Sequence, residues 1–78
     1  VAACVNITDV ESVFEWKGKL EKRGEKILVI KTLQSRFDDL ERLVKTNHSY
    51  ECPEILAFEV SAVSSDYENW VRQACSRM

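Results

Sequence analysis

The sequence predicts an α+β layer fold, a mainly antiparallel sheet with helices packed against it, on three observations. Along the 78 residues the segments run strand, strand, strand, helix, strand, helix. The strand-like segments are apolar on both alternating faces, whereas the helix-like ones carry an apolar stripe on one side. No linker, repeat or low-complexity stretch interrupts them, so residues 1–78 form a single domain.

The opening Val1-Ala2-Ala3-Cys4-Val5-Asn6-Ile7 is small and apolar on both faces and predicts a strand covered on two sides. Residues 9–12 form a polar break, after which residues 13–20 resume a strand pattern with Phe14 and Trp16. The charged run of residues 21–25 reads as a hairpin turn in which Gly24 supplies a positive φ. Residues 26–32 return as a strand whose Ile27-Leu28-Val29-Ile30 core predicts a central position under helices.

Ser35 is placed to cap the next helix, with Asp38 three residues on and an apolar stripe of Phe37, Leu40, Leu43 and Val44; the helix runs to about Thr46. Pro53 extends Cys52 and opens a strand over residues 54–60. Ser64 or Ser65 caps a last helix, Ser65-Asp66-Tyr67-Glu68 forming a capping box beneath Tyr67, Trp70, Val71 and Ala74.

Composition narrows the function. With 45% hydrophobic residues there is material for one core, but a chain this short buries only about 60% of its unfolded surface, so association is expected. A net charge of −2 without a Lys/Arg cluster gives no footprint for nucleic acid. Apolar runs fall short of the ~18 residues of a membrane span. Only Gly18 and Gly24 are present, and neither opens a phosphate loop between a strand and a helix. Cys4, Cys52 and Cys75 are scattered and odd in number, which suggests neither a disulfide framework nor a zinc module and fits a reducing compartment. Two sequons, Asn6-Ile7-Thr8 and Asn47-His48-Ser49, would be modified only in a secreted chain.

The candidate site is Asn47-His48-Ser49-Tyr50-Glu51-Cys52-Pro53-Glu54, where imidazole, phenol, carboxylate and thiol meet between two elements. Imidazole and thiolate suit borderline or soft ions such as zinc and copper, and a carboxylate completes such a set. Spacing alone favours a plainer reading, in which His48 closes a helix, Tyr50 packs and Cys52 is a small hydrophobe. The aromatic set Phe14, Trp16, Tyr50, Tyr67 and Trp70 reads as core or subunit contact. Lys17-Gly18-Lys19 reads equally as an anion contact or a solvated turn. Glu51 and Glu54, or Cys52 or Cys4 with His48, have no motif behind them as catalytic groups.

Several blocks in order, Ala2-Ala3-Cys4-Val5-Asn6-Ile7, Glu15-Trp16-Lys17-Gly18-Lys19, Ile30-Lys31-Thr32, His48-Ser49-Tyr50-Glu51-Cys52-Pro53-Glu54 and Asn69-Trp70-Val71-Arg72-Gln73, resemble the CutA divalent-cation tolerance family along essentially the whole chain. The resemblance implies a ferredoxin-like antiparallel sheet with helices on one face, architecture similar to the PII signalling proteins, and a homotrimer in which long hairpins of neighbouring subunits pair. It implies a non-enzymatic, cytoplasmic protein that binds copper or another divalent ion. The alternative it carries is a scaffold linked to the processing and membrane anchoring of acetylcholinesterase.

By the same resemblance Cys4 matches the family cysteine, and His48 with Glu51 matches the histidine block near the intersubunit cleft; these are the predicted metal donors. Tyr50, Trp16 and Lys17 match recurrent positions of that cleft. Ser49 stands where the family usually has proline, and Cys52 where it usually has an apolar residue. A further strand and helix that normally precede the Ala2-Ala3-Cys4 strand are missing, so the fold is expected to be N-terminally truncated, with an empty sheet position and an uncovered apolar face.

Overall fold

The computed structural model describes residues 2–49 and 52–76. One long antiparallel hairpin dominates it, made of β1 (Cys4–Trp16) and β2 (Lys19–Lys31), followed by a 3-10 turn (Gln34–Arg36), α1 (Phe37–Asn47) and α2 (Ser65–Ser76). The α+β class stands, with a two-stranded antiparallel sheet among the described residues. The ladder is unbroken from Cys4 opposite Lys31 to Trp16 opposite Lys19.

The predicted break at residues 9–12 is therefore absent, and the reason is cross-strand pairing. Lys26 Nζ pairs with Asp9, its ladder partner, and Lys22 reaches Glu11 at 3.7 Å, so polar residues sit within the ladder as ion pairs. The turn also lies elsewhere than predicted. Lys17 (φ 53°) and Gly18 (φ 81°) both adopt positive φ, the requirement of the two-residue hairpin turn that matches strand twist. Gly24 lies within β2 opposite Glu11 and has no positive φ. The strain at Lys17 is offset by its ammonium, which lies 5.7 Å from the centroid of the Trp16 ring.

The helix starts need correction too. Ser35 belongs to the 3-10 turn, and Arg36 occupies the N-cap of α1 without a side-chain cap bond. Asp38 and Asp39 supply negative charge to the first turn instead, Asp39 accepting from Arg42 at 3.4 Å. For α2, Ser64 is the cap: its Oγ accepts from the Tyr67 N–H at 3.4 Å and its carbonyl from the Glu68 N–H at 3.0 Å. Ser65 is already helical, and Glu68 binds Arg72 at 2.7 Å rather than closing a capping box.

Residues 54–60 form no strand. No described strand runs beside them, and a ladder cannot exist without a neighbour, whatever the local propensity. Leu56, Phe58 and Val60 are accordingly 66%, 86% and 71% exposed. Nor are the hairpin strands covered on both sides, since Val5, Ile7, Leu28 and Val29 are about half exposed or more.

The buried core of the described residues is Val71 and Cys75. Cys75 Sγ lies 3.6 Å from Thr32 Oγ1, and Arg36 Nη2 donates to the Cys75 carbonyl at 3.1 Å, so the end of α2 is clamped to the segment joining β2 and α1. The apolar stripe of α2 is turned from the predicted one: Val71 and Cys75 point inward, while Tyr67 and Trp70, with centroids 5.7 Å apart, stay partly open. The radius of gyration is 15.1 Å, against about 11.5 Å for a compact domain of this length. The accessible surface is 6674 Å², about 1,800 Å² more than a compact monomer of this mass exposes.

Candidate metal centre

The two described donors of the predicted set, Cys4 and His48, owe their positions to different elements. Cys4 opens β1, opposite Lys31, and is partly buried; the Ala3 N–H donates to the Lys31 carbonyl at 2.9 Å and secures the strand's start. His48 is the C-cap of α1 in extended conformation (φ −93°, ψ 143°), which turns it off the helix into solvent. With serine rather than proline after it, nothing covalent restrains that conformation. Asn47 ends the helix by donating from Nδ2 to the Leu43 carbonyl at 2.8 Å, and Thr46 Oγ1 donates to the Arg42 carbonyl. Cys52 is exposed. Tyr50 and Glu51 lie outside the described residues.

Among the described residues no cluster of three or more His, Cys, Asp or Glu side chains is placed to hold a metal ion. Cys4 and His48 are thus two donors of the right chemistry, thiol and imidazole, without a third described donor in the same chain. Trp16 and Lys17 are further removed. They sit at the hairpin tip, twelve ladder positions from Cys4, a separation of about 40 Å along the strand. Within one chain these residues share no cleft with Cys4. Sequence reasoning missed the environment of Cys75, the one fully buried side chain among the described residues, although its spacing of four from Val71 marks a helix face.

No described helix is long and apolar enough to cross a membrane. Strand hairpin, helices and solved relatives together define a protein of the ferredoxin-like, PII-like class. The chain is similar to the CutA of Archaeoglobus fulgidus, whose structure is described as a periplasmic divalent cation tolerance protein (TM-score 0.91, 34% identity, 94% of this chain and 72% of that one). It is similar to the PII-like protein CutA from Nostoc sp. PCC 7120 (TM-score 0.90, 31% identity, covering 94% and 72%). The profile of the family described as CutA1 divalent ion tolerance protein matches residues 1–74, and the chain belongs to that family. The chloroplastic protein CutA of Arabidopsis thaliana is 41% identical over 75 residues, 95% of this chain. The chain spans 41% of the length of that relative.

Proposed function

We propose that this chain is a non-enzymatic divalent-cation tolerance module that binds copper or a similar ion as a homotrimer. Cys4, His48 and Glu51 are its donors, and it works in the cytoplasm. The observation that carries the reading is the family match over residues 1–74, which includes all three donors. The donor chemistry agrees with it: a thiolate and an imidazole favour copper and zinc over magnesium or calcium, and a carboxylate completes the set. Since the described residues hold no three-donor cluster, the reading requires Glu51 or a neighbouring copy to complete the site. The surplus of accessible surface, with large apolar side chains exposed on it, supports association, since a standard interface covers about 800 Å² on each partner.

The test is metal retention. The unmodified chain, loaded with copper and desalted, is expected to keep a fixed stoichiometry of metal by elemental mass spectrometry. The Cys4→Ser, His48→Ala double variant is expected to lose it while keeping its far-ultraviolet circular dichroism. Undiminished copper in the folded double variant rejects these donors.

A further inference from the structure

Two consecutive side chains fold back onto the end of α1. Thr46 Oγ1 donates to the Arg42 carbonyl and Asn47 Nδ2 to the Leu43 carbonyl, both at 2.8 Å, and Lys45 pairs with Glu41 at 3.3 Å along the same turn. The last carbonyls of a helix have no intrahelical partner, so its final turn frays unless side chains hold it. Asn47 is the last helical residue and His48 the first outside, at φ −93° and ψ 143°. A proline at position 49 would confine His48 to that same extended region, φ about −80 to −160° and ψ about +120 to +160°. Residue 49 is serine, so the conformation must be held by other means.

We infer that Asn47 is a positioning residue for His48, its side-chain amide anchoring the point from which the imidazole leaves the helix. The inference rests on the reading of His48 as a metal donor and adds what orients that donor. His48 is exposed, so burial does not fix its place and the backbone that carries it matters more. A donor that pivots freely loses that freedom on binding, and affinity falls by the cost; a donor already held loses less. Asparagine suits the task because its amide competes for backbone groups where a good helix former would let the helix run on.

The neighbouring bond separates this role from simple bracing of the helix. Thr46 and Asn47 each make one bond of the same length to a carbonyl one turn back, but only Asn47 is joined to His48. Bracing predicts equal losses from either residue, and positioning predicts a loss from Asn47 alone. The experiment uses the full 78-residue chain, its Asn47→Ala and Thr46→Val variants, and Asn47→Ala combined with Ser49→Pro, with circular dichroism to compare helix content. Two quantities are read: the nitrogen-15 order parameter of the His48 amide without metal, and copper affinity by competition with a chelator. Asn47→Ala is expected to lower the order parameter toward the flexible range, below about 0.6, and to weaken copper binding about fivefold. Thr46→Val is expected to change neither. Proline at position 49 is expected to restore both in the double variant, since it confines His48 to the conformation observed here. Unchanged values in Asn47→Ala, an equal loss in Thr46→Val, or no recovery with proline overturns the positioning role. His48→Ala, run alongside, tells the two readings apart: loss of copper in it leaves His48 standing as a donor, and full retention overturns both.

Discussion

Three thiols of one chemistry occupy three environments, and reactivity should rank them. Cys52 is exposed, Cys4 partly buried and Cys75 fully buried beside Thr32. In the folded chain a maleimide should modify Cys52 first, Cys4 more slowly, and Cys75 more slowly again by about tenfold or more, because reagent access falls with burial. Peptide mapping at timed quench points reads this order, and copper should protect Cys4 while leaving the rate at Cys75 unchanged. Equal rates at Cys52 and Cys75 would contradict the core described above. Arg36 is the second residue to test. Its guanidinium holds the Cys75 carbonyl and lies 3.6 Å from Asp39, tying α2 to the start of α1. Arg36→Ala is expected to cost about 1 kcal/mol, read as a lower urea midpoint.

At the scale of elements, the two glycines predict substitutions of opposite sign. Gly18 sits at φ 81°, so Gly18→Ala meets no atom yet forces a side chain into the left-handed region, a loss of about 1 kcal/mol or more. Gly24 lies in the ladder with open space around it, so Gly24→Ala should gain roughly 0.5 kcal/mol by removing unfolded-state freedom. Thermal melts of the two variants check the pair, and the same sign for both would contradict the placement of the turn. The same contrast shows what was legible in the sequence. Strand-forming residues announced the hairpin, but turn position was not readable, because Gly24 among charged neighbours imitates a turn while Lys17 is an unusual residue for positive φ. The strand propensity of residues 54–60 was readable and their pairing was not, since a ladder depends on a neighbour rather than on local sequence. The proposed donors Cys4, His48 and Glu51 rest on family blocks alone; spacing alone pointed to a capping histidine, and His48 is indeed the C-cap of α1.

For the whole molecule the decisive quantity is surface. Among the described residues Val71 and Cys75 are the buried core, small for an independent 78-residue domain, while Leu56, Phe58, Val60 and Trp70 stand open to solvent. Association would cover such surface, and the proposed metal site, for which the described residues hold no three-donor cluster, would share that requirement. Stability should therefore depend on protein concentration, with a melting temperature that rises on dilution series run toward higher concentration, as expected for a fold inseparable from its assembly. A concentration-independent melt would argue for a self-sufficient monomer. The most direct measurement is native mass spectrometry of the chain with and without copper, because it reports subunit number and metal stoichiometry together. Trimers that take up copper in defined steps are the predicted result; monomers, or trimers that take up none, would contradict the proposed metal-binding assembly.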